Sequence, residues 1–390
     1  VSDAGDFFSV YSGLTPEETA FRNQAREFAE TLRPMVADAW EKAELPPAIF
    51  EQFKKTDFLF RMHPEVEGGQ PPYDPMIDGL LSMELARVDT SLATFVGVQS
   101  GLAMGSIRFC GSEEQQREWL PRMRRWELIG AFGLTEPEVG SAVAGGLMTT
   151  CKRSGDEWII NGAKKWIGNA TFADIVIIWA RDVDDKQVKG FIVDTKTPGF
   201  SVRKMEGKIA LRITQNGEIT LKDVRVPESR RLQRANSFAD TARVLSATRG
   251  GVAWIAVGCA TGAYERALAY AKERIQFGKH LVEFQMIQRM LVTMLGHLTA
   301  IQGMAFRVAR MQQQGISRDE HTSLAKQYCA ARCREIVALA RELLGGNGIL
   351  LEYEVARYFA DAEAIYSYEG TNEINTLIVG RAITGAGAFV

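Results

Sequence analysis

A chain of 390 residues, 46% of them hydrophobic, can bury a large core and is expected to divide into two or three domains. The formal net charge of −2, with acidic and basic residues interspersed, leaves no electrostatic footprint for nucleic acid or an anionic membrane. No apolar run approaches the roughly eighteen residues of a membrane span, and residues 1–30 carry acidic groups where a signal peptide would be basic and then apolar. No nucleic-acid partner and no membrane insertion are expected. The C-terminus, Gly387-Ala388-Phe389-Val390, is not a peroxisomal tripeptide, and the expected location is cytoplasmic. Cys110, Cys151, Cys259, Cys329 and Cys333 are scattered and odd in number, as free thiols in a reducing compartment would be. Cys329 and Cys333 lie one helical turn apart, but no further ligand is near, so no metal site is expected. The four histidines, His63, His280, His297 and His321, are isolated, which gives a zinc or Ser-His-Asp enzyme no support.

In chain order, Thr15-Pro16-Glu17-Glu18 predicts the first helix start, with threonine at the N-cap, proline at N1 and glutamate closing a capping box. Phe21, Ala25, Phe28 and Leu32 then fall on one face. Gly68-Gly69-Gln70-Pro71-Pro72 reads as a loop. Met76 to Arg87 and Ser91 to Phe109 read as buried helices, and Ser112-Glu113-Glu114-Gln115 opens another. Near residue 131 the apolar spacing becomes alternating or short and continuous. Trp158-Ile159-Ile160, Ile175 to Ala180, Phe191-Ile192-Val193 and Ile219 to Val226 predict strands, with turns at Asn161-Gly162, Pro198-Gly199 and Asn216-Gly217. From about residue 241 helices return. Phe284, Ile287, Leu291, Met294, Leu298, Ile301, Ala305 and Val308 form the seam of a bundle helix. Ser317-Arg318-Asp319-Glu320 caps the next, which runs to Gly345-Gly346. The expected fold is α+β: an N-terminal α-helical domain (1–130), a middle β-barrel-like or sandwich domain (131–240) and a C-terminal four-helix bundle domain (241–390).

Five stretches can carry chemistry, and each also has an ordinary structural reading. Phe132-Gly133-Leu134-Thr135-Glu136-Pro137-Glu138-Val139-Gly140-Ser141 is a loop offering backbone N–H groups and the Thr135 and Ser141 hydroxyls, or simply a connection. Lys165-Trp166-Ile167-Gly168-Asn169 sets an aromatic plane where it can cover a flat ring, or pack into a core. Arg274-Ile275-Gln276-Phe277-Gly278-Lys279, with Gln285 beyond, puts a guanidinium between two long helices, to clamp a pyrophosphate or cap a helix. Glu342-Leu343-Leu344-Gly345-Gly346-Asn347-Gly348 allows close approach of a ligand or forms a helix C-cap. Tyr368-Glu369-Gly370-Thr371-Asn372-Glu373-Ile374-Asn375 places a carboxylate before a threonine N-cap, either a base beside an electron-rich ligand or a solvated surface turn. No Gly-x-Gly-x-x-Gly follows a strand and no Walker lysine loop occurs, so a dinucleotide must be held some other way.

The ordered series Leu134-Thr135-Glu136-Pro137 with Gly140-Ser141, Trp166-Ile167, Arg274-x-Gln276-Phe277-Gly278, Leu344-Gly345-Gly346-Asn347-Gly348 and Tyr368-Glu369-Gly370-Thr371 resembles the acyl-CoA dehydrogenase family over nearly the whole chain. Within the family it is most similar to the branch of glutaryl-CoA dehydrogenases and plant-type short-chain acyl-CoA oxidases. The resemblance implies FAD between the β domain and the C-terminal helices and an acyl-CoA thioester against the flavin. It implies Glu369 as the base that takes the α-proton while the β-hydrogen leaves as hydride to flavin N5. It assigns Phe132, Leu134, Thr135, Gly140, Ser141, Trp166, Ile167 and Gly168 to the flavin, and Thr371 and Glu373 beside them. It assigns Arg274, Phe277, Gln285, Glu342, Gly345 and Gly346 to the FAD of a neighbouring subunit, whence a homotetramer or dimer. Ser141, Arg249 and Gly370 fall at substrate-binding positions, and the implied electron acceptor is an electron-transfer flavoprotein.

Three departures qualify the resemblance. The arginine and glutamate that serve a distal substrate carboxylate in glutaryl-CoA dehydrogenases fall at Ala93 and Ala86, so a neutral acyl chain and no decarboxylation are expected, because a buried carboxylate without a partner costs several kcal/mol. Gly168 stands where a hydroxyl residue is common, as in the plant oxidases, which opens space for oxygen and an oxidase reading. Ala142 replaces an aspartate and loses a loop cap. A dehydrogenase acting on a carrier-protein thioester is a further variant, and a flavin-free scaffold is the reading from another class.

Overall fold

The computed structural model describes residues 5–64 and 73–388; the loop expected at residues 68–72 lies outside them. Helices come first: α1 (Pro16–Lys42), α2 (Pro47–Phe53), α3 (Phe58–Met62), α4 (Pro75–Val88), α5 (Thr90–Gly97), α6 (Gly105–Cys110) and α7 (Glu113–Arg124). Both expected capping boxes form, Thr15 with Glu18 and Ser112 with Gln115. Ser91 to Phe109 is not one helix. A π-helical stretch, Val98–Met104, separates α5 from α6. Within it the buried Gln99 amide donates to Met123 O at 3.1 Å and Leu128 O at 2.9 Å and accepts from Gly130 N–H at 2.6 Å, tying this helix to the first strand.

The middle of the chain is one curled sheet of β1 (Gly130–Gly133), β2 (Thr150–Ser154), β3 (Glu157–Ile167), β4 (Ile175–Asp182), β5 (Val188–Asp194), β6 (Phe200–Lys204) and β7 (Gly217–Pro227), with a short helix α8 (Val143–Gly146) between β1 and β2. β5 lies antiparallel along one edge of β4. The other edge is shared by β1 over its first residues and by β2 at Arg181 and Asp182, and β3, β7 and β6 continue from β2.

Two turn expectations fail here. Asn161-Gly162 sits inside β3 at a bulge opposite β7, with Gly162 at φ +148°, because a Cβ there would come within 2.6 Å of Thr149 Oγ1. Asn161 instead pairs across the sheet with Asp223. Asn216-Gly217 is no two-residue turn either; it closes the longer loop 205–216, where Met205 N–H donates to Asn216 O.

The helical remainder comprises α9 (Phe238–Glu273), the hairpin β8 (Ile275–Gln276) and β9 (Lys279–His280), α10 (Gln285–Gln313), α11 (Asp319–Leu343), α12 (Val355–Ser367) and α13 (Asn372–Thr384). The α10 seam from Leu291 to Val308 is buried as expected, but Phe284 is extended and precedes the helix. The Ser317 hydroxyl makes no hydrogen bond; the His321 ring accepts the Arg318 N–H at 3.0 Å and caps α11 in its place.

By length and composition α9 would pass for a membrane span, contrary to the sequence expectation, yet most of its apolar run is buried inside the protein. It crosses α4 at near backbone contact, since a Cβ on Gly258 would lie 2.1 Å from Met83 O and one on Gly262 2.4 Å from Arg87 O. Glu84, wholly buried on α4, takes Arg22 and Arg26 of α1 at 3.0 Å and Arg87 at 2.9 Å. The N-terminal helices and α9 thus share one core, and the sheet leans on it through Gln99.

Candidate active site

Glu369 lies in the short link between α12 and α13, with φ +54°, and Gly370 follows at +84°. A left-handed glutamate is an uncommon conformation that the surroundings must hold in place. Two side chains do so. Lys326, buried on α11, donates to Tyr366 O at 2.9 Å and Gly370 O at 2.8 Å. Asn375 donates to Gly370 O at 2.9 Å and Thr371 O at 3.0 Å. Thr371 is the N-cap of α13 as expected, accepting the Ile374 N–H at 3.3 Å. Among the described residues no group accepts the Glu369 N–H, which leaves a donor available at the site.

The Glu369 carboxylate reaches α9, where the Thr248 hydroxyl lies 3.1 Å from Oε2. Burial raises its pKa above the ordinary carboxylate value; the Thr248 hydrogen bond and the charges of Arg249 and Lys326 act the other way. Arg249 is buried and paired with Asp319 at the start of α11, with its Nε unpartnered. Thr248 and Lys326 carry no role in the sequence expectations; they act on Glu369 and its link from distant points in the chain, so no local pattern marks them. Asn375 lies at the end of the expected stretch, without a role assigned there, and holds the link from four and five residues away.

The expected flavin strip assembles at the curled end of the sheet. Phe132 and Leu134 are buried on and after β1, and Ile167 at the end of β3. Thr135 O accepts the Lys165 N–H at 2.8 Å, which ties the Thr135 loop to the Trp166 segment. A brace not foreseen from sequence holds them. Lys164, wholly buried, donates to Leu134 O at 3.0 Å and Glu136 Oε1 at 2.8 Å. Glu136 also accepts the Met148 and Thr149 N–H groups at 2.6 and 2.8 Å. Burial pulls the Lys164 ammonium down to about 8, with Glu136 opposing.

Trp166 is no core residue. It is 55% exposed at φ +66°, a large aromatic face displayed at some backbone expense. Gly140 and Ser141 are exposed, and a Cβ on Gly140 would meet nothing. Gly168 packs under Val98 of the π-helical stretch. Ala142 precedes α8 without a side-chain cap, as its residue type implies. An exposed indole beside an open glycine loop is a fitting seat for a planar ring system.

The second set lies elsewhere. Arg274 is exposed at the C-cap of α9, and Phe277-Gly278 form the tight turn of the β8–β9 hairpin, both at positive φ, with Phe277 93% exposed. Gln285 and Glu342 are exposed, and Gly345, at φ +58°, ends α11 in the left-handed conformation of a helix C-cap. Asn347 donates to Tyr270 Oη at 3.0 Å, which places Gly346 beside the Arg274 end of α9. Among the described residues no hydrogen bond or ring contact joins this set to Glu369 or Trp166. Glu373 is exposed on the first turn of α13, its pKa lowered by its own backbone N–H and by Thr371. A cleft of about 200 Å³ near Lys208 and Arg212 is an unpromising ligand site, because both side chains are committed to oxygens within the protein.

A buried carboxylate at a helix mouth and an exposed indole at a sheet edge, on an α–β–α chain, form a site able to seat a planar cofactor beside an acid–base group, as an oxidoreductase needs. Comparison with known sequences makes the class specific. Acyl-CoA dehydrogenase domain models match in order: the N-terminal domain at 15–127, the middle domain at 131–224 and the C-terminal domain at 238–384. The chain is 34% identical over 372 residues to a subunit of the caffeyl-CoA reductase-Etf complex of Acetobacterium woodii, covering 94% of this chain and 98% of that one. It is 31% identical over 378 residues to an acyl-CoA dehydrogenase of Bacillus subtilis, covering 95% and 99%. Among solved structures, glutaryl-CoA dehydrogenase from Mycobacterium smegmatis in complex with FADH2 superposes with a TM-score of 0.93 at 36% identity, over 98% of each chain. Butyryl-CoA dehydrogenase from Megasphaera elsdenii gives 0.90 at 30%, over 95% and 99%. The chain belongs to the acyl-CoA dehydrogenase family. It is a flavin-dependent oxidoreductase whose cofactor is FAD.

Proposed function

We propose that this enzyme oxidises an acyl-CoA thioester to the trans-2-enoyl-CoA, with Glu369 as the base that removes the α-proton. The observation that carries the reading is Glu369 itself, fixed at positive φ, touching Thr248, with burial raising its pKa. A thioester α-C–H is too weak an acid for a carboxylate in water, so the base must be made stronger and the developing enolate oxygen must be stabilised. Desolvation serves the first need. The free N–H of Glu369 serves the second. Bound against Trp166 and the Thr135 loop, FAD supplies acceptance of the β-hydrogen with its electron pair. Phe132, Leu134, Ile167 and Gly168 would shape that seat, with Gly140, Ser141 and Thr371 offering hydroxyl and backbone groups. Arg249 and Gly370 would border the thioester.

Electron-transfer flavoprotein is the acceptor we assign, supported by likeness to a subunit of an Etf complex. Ala93 and Ala86 are wholly buried and bring no charge to the acyl side, which supports a neutral chain and a reaction without decarboxylation. The test is anaerobic bleaching of the bound flavin by acyl-CoA esters from four carbons upward. Glu369→Gln should slow bleaching about 10²- to 10⁴-fold with flavin content unchanged; an unchanged rate would refute the role of Glu369. Rapid reoxidation of the reduced enzyme by oxygen would replace the flavoprotein acceptor with an oxidase reading.

A further inference from the structure

Lys326 sits one turn from Cys329 and Ala330 among the buried residues of α11, and is itself wholly buried. A methionine of similar size would pack there without desolvating an ammonium, and buried charges are often replaced by apolar groups at no loss of stability. Core packing therefore gives no reason for a lysine.

Its hydrogen bonds give one. They go to backbone oxygens on either side of Glu369: Tyr366 O in the last turn of α12, at 2.9 Å, and Gly370 O just before α13, at 2.8 Å. The first is among the carbonyls that a helix end leaves unmatched, where a cation also meets the negative end of the helix. One ammonium thus spans the link, and Glu369 stands between its two anchors in the left-handed region. Asn375 holds only the α13 side, through Gly370 O and Thr371 O.

Charge reaches the carboxylate as well. Burial pulls the Lys326 ammonium down to about 8; Glu369 and then Glu373 of α13 oppose this, and Arg249 of α9 adds to it. Below that pH Lys326 is charged and favours the ionised form of Glu369, as do the Thr248 hydroxyl and Arg249, the latter paired with Asp319.

Resting on the assignment of Glu369 as the base, we infer that Lys326 is a positioning residue for proton abstraction, fixing where the carboxylate stands by holding both ends of its link. Two effects of losing it oppose each other. Without the cation Glu369 becomes a stronger base, which gains roughly a few-fold in rate, whereas displacing a reacting group by about 1 Å costs about 10²-fold. Misplacement therefore decides the net effect.

The test compares anaerobic bleaching of flavin-loaded wild type, Lys326→Met and Lys326→Gln by one acyl-CoA ester across pH. In Lys326→Met the plateau rate at saturating ester should fall at least about tenfold, with the ester concentration for half-maximal rate changed less than about twofold. In both variants the acid midpoint of the rate should move to higher pH, since each removes the charge that favours ionised Glu369. An unchanged plateau, a loss carried wholly by the half-maximal concentration, or a midpoint unmoved in both variants would overturn the inference. Failure of both variants to fold with flavin would overturn it too, because the lysine would then serve the core. If Glu369→Gln bleaches as fast as wild type, the base assignment falls and this inference with it. If Glu369→Gln is slow while Lys326→Met keeps the wild-type plateau, only the role of Lys326 falls.

Discussion

A carboxylate can take a proton from carbon only while it is ionised, and Glu369 is held where burial disfavours that state. Its pKa lies above the ordinary value of 4.5, so the protonated, inactive fraction grows on acidification from a higher pH than for a solvated glutamate. The acid limb of the bleaching rate should therefore have its midpoint above pH 4.5. Thr248 stabilises the ionised form by its hydrogen bond, so Thr248→Val should move that midpoint to still higher pH. A midpoint that stays put or moves down would show that the hydroxyl does not act on the base. Glu369 and the Thr371 cap were legible in sequence because a carboxylate, a glycine and a capping threonine are consecutive. Thr248 and Lys326 were not, since they meet the link from 121 and 44 residues away, a contact that only the packing of α9, α11 and α12 creates.

At the scale of elements, the readable features were those whose energetics are local. The Thr15 and Ser112 capping boxes, the α10 seam from Leu291 to Val308 and the four expected strands depend on neighbours in sequence, and they formed. The π-helical stretch and the bulge at Gly162 answer to tertiary contacts, Gln99 reaching Gly130 and Thr149 crowding Gly162; the His321 cap is local, three residues from Arg318, but uses a ring nitrogen where the sequence predicts a serine hydroxyl. Asn-Gly is a strong turn signal, and here close approach of β2 outweighs it. Two variants probe such contacts. Gly258→Leu drives a side chain into the α4 backbone at Met83; overpacking of this kind costs roughly 1–3 kcal/mol or more and should appear as a lower thermal midpoint or as insoluble protein. A melting curve identical to wild type would mean the α4–α9 crossing is looser than drawn. Lys164→Met leaves Glu136 buried without its cation, a loss of about 3–5 kcal/mol. Because that pair braces both the Thr135 loop and Trp166, flavin retention should fall along with the melting temperature. Full flavin occupancy in a destabilised variant would separate the brace from the cofactor seat.

For the whole molecule, five exposed apolar side chains lie on the hairpin and the elements next to it in sequence or contact. Ile275 and Phe277 on the hairpin, Met286 at the start of α10, and Ile349 and Leu350 beyond α11 are 54%, 93%, 72%, 68% and 46% exposed. Exposed apolar side chains on neighbouring elements of a folded chain mark a candidate interaction face. The Arg274, Gln285 and Gly346 positions border it, the same positions that no hydrogen bond or ring contact among the described residues joins to the chain's own Glu369 or Trp166. We propose that a second copy of the chain covers this face, its flavin half seated on the hairpin. The protein should then sediment well above the 43.2 kDa of one chain. Phe277→Asp would put a charge at the buried centre of the contact, so the smaller species should dominate and flavin should dissociate more readily, with the melting behaviour of the isolated chain little altered because Phe277 makes no buried contact within it. A wild-type protein that sediments as a monomer with flavin bound would overturn the proposal, because the Arg274 set would then have no cofactor within reach. Assembly and cofactor retention failing together in the variant would instead tie the hairpin to both.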